Sequence, residues 1–442
     1  MSLSSELIAA RELLDFIDSS PSPYHAVATA AARLQSAGYR EFDERAAWQV
    51  SPGDRGYVRR GGALIAFELG RLPPSDGGML LVAAHTDSPG LRVKPRPEVD
   101  SAGCRQLGME AYGGLLLHTW LDRELGLAGR ITLASGRSEL VKLTSPALRI
   151  PSLAIHLDRE VNSRGLVVNP QTQLAPVLGL TTSDAPTLGG LLAKELSVTL
   201  GEAVAAEDVL GWDLAAFELA PGALIGHETA LISAPRLDNL ASCHAALCAL
   251  LAEPNTRPET RVLALYDHEE VGSETASGAG SRFLLSLLER LAMSTPTPSH
   301  DAVSRALARS LLLSVDMAHA THPHYSNKHE PQHPIFLGRG PALKLHAGQS
   351  YASDGPGIAA LDAVARRAGV ETQRFVTRGD IRCGSTVGPI TAARLALRTV
   401  DLGMPMLGMH SCRELAACAD LPPLISLLTA FYRDVVVPPP RD

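Results

Sequence analysis

Four apolar runs in the chain each stop at side chains able to bind a metal. Residues 79–84 meet His85 and Asp87, and 262–266 lead to Glu269 and Glu270. Residues 311–315 end at Asp316, and 405–409 end at His410. A fifth candidate, Asp238, lies in Arg236-Leu237-Asp238-Asn239, just ahead of a helix-like stretch. Two histidines with three carboxylates suit a pair of divalent ions; imidazole favours zinc, cobalt or nickel, and carboxylate tolerates manganese. Two ions roughly 3.5–4 Å apart need one carboxylate to bridge them and terminal ligands that leave a water between them. A further carboxylate must then take the proton from that water. Adjacent Glu269 and Glu270 can supply one ligand and one base, since neighbours in an extended loop point to opposite sides. Asp87, two residues after His85, is placed to accept the spare ring proton and fix the imidazole.

Each residue also has an ordinary reading. A strand-end Asp or His is commonly a turn former, paired glutamates commonly form a solvated face, and Asp238 could be a helix N-cap. Agreement among five positions, each following or flanking an apolar run, is what favours a metal site.

Ligands this far apart in sequence can meet beyond the carboxyl ends of the strands of an open α/β sheet. The uninterrupted apolar run at 79–84 suits a strand buried on both faces of a parallel sheet. The patterning predicts helices over 7–17 and 24–34, the second opened by Ser22-Pro23 and stopped by Gly38. A strand at 63–67 follows, and then strands at 262–266 and 311–315 alternate with helices at 240–251, 283–291 and 425–431. Between about 92 and 232 the texture changes to short strand-like segments (130–133, 148–150, 223–232) punctuated by Gly, Pro and Asn. The expected organisation is an α/β unit of residues 1–91 plus 233–442, interrupted by a β-rich insertion over 92–232.

Composition narrows the function classes. Forty basic against 47 acidic residues give a net charge of −7, which argues against a nucleic-acid partner. With 45 % hydrophobic and 20 % charged residues the chain is an ordinary globular one. No apolar run approaches the roughly 18 residues of a membrane span. Glu6, Arg11, Glu12 and Asp15 interrupt the apolar stretch of about 7–15 residues that a secretory signal requires. Six cysteines without a CxxC pair fit reduced thiols, so the expected location is cytoplasmic.

The segments Ala84-His85-Thr86-Asp87-Ser88-Pro89-Gly90, Arg236-Leu237-Asp238-Asn239 and Asp267-His268-Glu269-Glu270-Val271-Gly272-Ser273 resemble the M18 metallopeptidase family, the aspartyl aminopeptidases. Asp316-Met317-Ala318-His319-Ala320-Thr321-His322-Pro323, Gly384-Ser385-Thr386-Val387-Gly388-Pro389 and Met409-His410-Ser411 do so too, as do Ile155-His156-Leu157-Asp158, Tyr112-Gly113-Gly114 and Thr119-Trp120-Leu121-Asp122-Arg123. The resemblance runs in order over nearly the whole chain. It implies an α/β/α sandwich of the zinc-peptidase type with an inserted β-rich dimerisation domain that also walls the active site. It places His85, Asp238 and Asp316 on one metal and Asp238, Glu270 and His410 on the other, with Asp238 as the bridge. Glu269 would be the general base and Asp87 the partner of His85. The metals would be two divalent ions, zinc, with cobalt or manganese as alternatives. Lys344 and Tyr351 would form the substrate pocket, where a cation meets an acidic side chain; without the resemblance, Lys344 reads as a surface lysine. His156 would reach a neighbouring subunit's site to stabilise the oxyanion or orient substrate, although from its own surroundings it is a histidine in a strand-like run. Peptides with an N-terminal Asp or Glu would be the substrates, and the assembly a tetrahedral dodecamer built from dimers.

Rival readings are an aminopeptidase or amidase of broader specificity on the same metals, a non-catalytic assembly protein, and a di-metal phosphoesterase. No base or ligand is missing, which counts against the second. There is no Gly-rich phosphate cradle or arginine cluster, which counts against the third. The histidines at 319, 322, 324, 329 and 333 suggest a separate metal site, but Pro323, Pro331 and Pro334 break the segment, so a loop beside the site or at a subunit contact is the expectation.

Overall fold

The computed structural model describes residues 5–182, 186–294 and 298–438; Met1–Ser4, the start of the N-terminal segment considered above, lie outside them. A nine-stranded sheet forms the centre. Its order is Arg40–Glu41, Arg55–Arg60, Ala63–Glu68, Thr260–Tyr266, Met79–His85, Leu311–Val315, Arg398–Gly403, Ala342–Leu345 and Gln373–Val376. The four strands from Thr260–Tyr266 to Arg398–Gly403 run parallel. Ala63–Glu68 and Ala342–Leu345 join them antiparallel on either side.

The apolar run at Met79–His85 is buried along its full length because helices cover both faces. Leu80, Val82 and Ala84 pack into a core with helices Ser5–Asp18, Pro23–Ser36, Leu237–Leu251 and Leu421–Asp434. Met79, Leu81 and Ala83 pack the opposite way, against Phe283–Met293 and Leu395. Successive strand side chains point to opposite faces, so a strand between two helical layers must be apolar at every position. The layered α/β architecture is therefore the one expected. Helix Pro23–Ser36 starts as predicted: Ser22 Oγ accepts the His25 N–H, and Pro23 occupies the first turn.

A second, six-stranded antiparallel sheet contains Ser138–Leu148, Leu125–Leu133, Val209–Glu218, Gly90–Ser101, Cys104–Tyr112 and Val177–Leu180 in that order. Helix Leu188–Leu200 closes its apolar face. The strand-rich texture read in the sequence corresponds to this sheet, with a difference at its end. Ala223–Ile225 pairs with Leu231–Ala234, which pairs in turn with Glu414–Ala417 in a third sheet that also holds Pro405–Leu407 and Ala318–His319. Strand-like composition alone could not tell which sheet would claim 223–234. A second correction concerns His156: residues 155–157 form an exposed turn, not a strand. Among the described residues no helix is long and apolar enough to cross a membrane.

Candidate metal centre

The parallel strands end level with one another, Tyr266 opposite His85, and their carboxyl ends face one crevice. His85 is the last residue of its strand and is fully buried. Its Nδ1–H donates to the Asp87 carbonyl at 3.0 Å, while the Asp87 carboxylate stands 3.5 Å away. The support for the ring expected from Asp87 thus comes first from its backbone. The carboxylate itself accepts the N–H groups of Glu269 and Glu270, both at 3.1 Å, and the Tyr112 hydroxyl at 2.7 Å.

Asp238 is no N-cap. It lies inside the first turn of Leu237–Leu251 with non-helical backbone angles (φ −83°, ψ 105°), and the helix has no side-chain cap there. Its two oxygens face different histidines: Oδ1 is 3.4 Å from His85 Nε2, and Oδ2 is 3.3 Å from His410 Nε2. Asp316 follows Leu311–Val315 and brings Oδ1 to 3.5 Å from His85 Nε2. Glu269 and Glu270 lie in a single 3-10 turn, Glu269–Val271, not in an extended loop, yet still reach different rings. Glu269 Oε2 is 3.8 Å from His85 Nε2 and Glu270 Oε1 is 3.3 Å from His410 Nε2. The turn follows a residue in the left-handed region, His268 (φ 64°).

Among the described residues, three groups of side chains bring their donor atoms within 4.8 Å of one another: His85, Asp238 and Asp316; Asp238, Glu270 and His410; and His85, Glu269 and Glu270. Among the described residues the histidine loop at 322–333 contributes to no such group. Two buried oxygens, Asp238 Oδ1 and Glu270 Oε1, accept no hydrogen bond. Each faces an imidazole nitrogen, Asp238 Oδ1 that of His85 at 3.4 Å and Glu270 Oε1 that of His410 at 3.3 Å, and buried carboxylate oxygens are costly unless a cation meets them. The proton balance says the same. Burial pushes Glu269 up to about 9 and Glu270 up to about 7, with neighbouring carboxylates adding to the effect. His410, which burial alone would lower, is pushed up to about 11 by Asp238 and Glu270. Burial opposes a proton on His85 as well, but Asp238, Asp316 and Asp87 hold it well above the usual value. Crowded carboxylates and imidazoles, nitrogen and oxygen donors converging on one space, fit divalent cations.

The second sheet supplies part of this site. His410 Nδ1–H donates to the Gly114 carbonyl at 3.0 Å, and Tyr112 secures Asp87. Gly113 between them has φ +73°, and a Cβ there would come to 3.1 Å from the Glu270 Cβ, so any side chain would be both strained and tightly packed. These residues were legible as a Tyr-Gly-Gly motif, without their task.

Glu414 gave no signal. It is buried, accepting the Asp238 N–H at 3.1 Å and the His410 N–H at 2.7 Å. A lone glutamate in a short apolar strand shows nothing in one sequence, because its partner Asp238 is remote in the chain.

Lys344 and Tyr351 are brought to the edge of the cluster. Lys344 is buried, its Nζ 3.4 Å from Asp316 Oδ2 and 5.4 Å from the centre of the Tyr351 ring. The reading of Lys344 as a surface residue is thereby excluded. Tyr351 lines a cavity of about 310 Å³ with His319, Phe375, Met406 and Met409. His156 is not brought in: it is exposed in its turn, and among the described residues no hydrogen bond or ion pair links it to the cluster.

Comparison with known proteins identifies the family. Residues 16–432 match the family described as Aminopeptidase I zinc metalloprotease (M18). The chain is 45 % identical over 432 residues to a probable M18 family aminopeptidase 2 of Stutzerimonas stutzeri, covering 96 % of this chain and 98 % of that one. A Streptomyces coelicolor protein of the same description is 43 % identical over 428 residues, covering 96 % and 97 %. Among solved structures, the chain resembles one described as the Ape4 and Nbr1 complex (TM-score 0.93, 37 % identity, 98 % of this chain and 88 % of that one). It also resembles the S. cerevisiae mApe1 dodecamer (TM-score 0.83, 29 % identity, 98 % of both chains).

Proposed function

The chain belongs to the M18 family of metallo-aminopeptidases, and from that premise we propose that it removes acidic residues, Asp before Glu, from the N-termini of peptides. The observation that carries the acidic preference is Lys344, a buried cation beside the metal-binding groups and the Tyr351 ring. A carboxylate side chain entering there gains a partner that a neutral one lacks.

His85, Asp238 and Asp316 would hold one divalent ion and Asp238, Glu270 and His410 a second, with Asp238 shared; zinc is the first choice, cobalt or manganese the alternatives. When bound, the pair polarises the scissile carbonyl and lowers the pKa of water. Glu269, close to His85 but absent from the Asp238 groups, takes the proton from the attacking water and hands it to the leaving amine. Asp87 holds the backbone of both glutamates and the ring of His85, so base and ligands keep one geometry through the reaction.

The division into a peptidase domain, 1–91 plus 233–442, and an inserted dimerisation domain over 92–232 belongs to the same proposal. So does a cytoplasmic dodecamer built from dimers, in which His156 reaches a neighbour's site. It is supported by the apolar side chains that the 153–167 segment turns outward, among them Leu157 at 74 % and Val167 at 87 % exposure. Surfaces of this kind mark contacts between proteins.

One observation favours a second reading, an aminopeptidase of broader specificity: Lys344 already has an anionic partner in Asp316. The test is hydrolysis of matched Asp-, Glu-, Leu- and Lys-terminal chromogenic substrates before chelation, after it, and with metal restored. Chelator-sensitive cleavage confined to the acidic pair supports the proposal. Cleavage of neutral termini keeps the metal chemistry and moves the specificity to the second reading.

A further inference from the structure

We propose that Glu414 is a positioning residue that holds Asp238 and His410 in the shape that binds metal. The inference rests on the metal site proposed above. Both oxygens of its carboxylate are spent on backbone: Oε2 on the Asp238 N–H and Oε1 on the His410 N–H. Neither residue has regular backbone angles. Asp238 interrupts the start of its helix, and His410 sits at φ 67° in the tight turn between Pro405–Leu407 and Glu414–Ala417. Without an acceptor, each would be a backbone donor left unpaired in a crowded interior. One buried carboxylate therefore ties together two ligands that lie 176 and 4 residues from it in the chain.

The arrangement has a counterpart across the site. Asp87 uses its two oxygens in the same way, on the N–H groups of Glu269 and Glu270. Asp87 and Glu414 are outside all three metal-binding groups. Each clamps the backbone of a pair of residues that are inside them. Glu414 is itself anchored: it faces Ala234 across the third sheet, and Arg413 beside it bonds Glu218, Ser233 and the Pro221 carbonyl. A carboxylate can accept both bonds. A glutamine of the same shape offers one acceptor and one donor, and so must leave one N–H facing another.

The test uses the full chain, stripped of metal, titrated with zinc in competition with a chromogenic chelator, and melted without metal. E414Q is expected to bind zinc about 10–100-fold more weakly than wild type, the loss typical of groups that orient ligands, while its metal-free melting temperature stays within a few degrees. E414D, which keeps both acceptors on a shorter arm, is expected to recover part of the affinity. Unchanged zinc affinity in E414Q overturns the proposal, and so does a lowered metal-free melting temperature with affinity intact. If E414Q fails to fold, E414D decides: reduced affinity supports the proposal and wild-type affinity overturns it. If the wild-type chain binds no zinc, the metal reading itself fails and this proposal falls with it, an outcome distinct from equal binding by wild type and variant.

Discussion

The ammonium of Lys344 lies 3.4 Å from the carboxylate of Asp316, so the cation assigned to substrate and a carboxylate assigned to metal touch one another. Lys344→Leu removes the partner of a buried acidic side chain and also leaves Asp316 with one neighbour fewer. Turnover of Asp-terminal substrate is expected to fall at least tenfold further than that of Leu-terminal substrate, since ion pairs of this kind are worth about 2 kcal/mol or more. Equal losses on both would assign Lys344 to Asp316 alone.

Glu269→Gln keeps the shape of the proposed base but cannot take a proton. The expected outcome is a fall in kcat of about 10²–10⁴-fold, the usual contribution of a positioned base, with metal content unchanged by elemental analysis. Loss of metal would mean that Glu269 and Glu270 have exchanged roles.

Tyr112→Phe deletes one 2.7 Å hydrogen bond to a buried carboxylate and nothing else. Bonds to charged groups contribute about 1.5–3 kcal/mol, so zinc affinity or kcat should drop roughly tenfold while the fold persists. Wild-type values for both would show that the backbone N–H groups of Glu269 and Glu270 suffice to hold Asp87.

Away from the metals, the fully buried His244 is pulled down to about 3, by burial first and then by Arg33, whose guanidinium lies 3.1 Å from its Nδ1. The folded chain keeps this ring neutral, whereas the unfolded chain protonates it below about 6.5. Its contribution to stability is complete above that pH and is lost as the pH falls toward 3. Between pH 6.5 and 5, the wild type should lose ~2 kcal/mol more stability than His244→Gln in urea denaturation. Parallel losses would show that the folded chain tolerates the charged ring.

The sheet and the side chains gathered at its end were legible because burial on two faces forces unbroken apolar strands, which end abruptly at His85 and Asp316. Asp238 could be nominated as ligand or cap; its backbone angles speak against the cap, and its two oxygens face two imidazoles. The supports were harder to see. Tyr112 acts on Asp87 through a fold-dependent contact between two sheets. Glu414 works through its partners' peptide groups, which carry no residue identity at all. The pairing of 223–234 with Glu414–Ala417 was hidden for a related reason: β-propensity describes a pleated surface, not the neighbour that will cover it.

The crevice gathers its parts from almost the whole length of the chain, from His85 through Gly114 and Asp238 to His410 and Glu414. A chain growing from its N-terminus therefore has most of its mass before it has a complete centre. On the proposed site, a fragment ending before residue 410 would lack one of the two imidazoles and the carboxylate that holds its backbone.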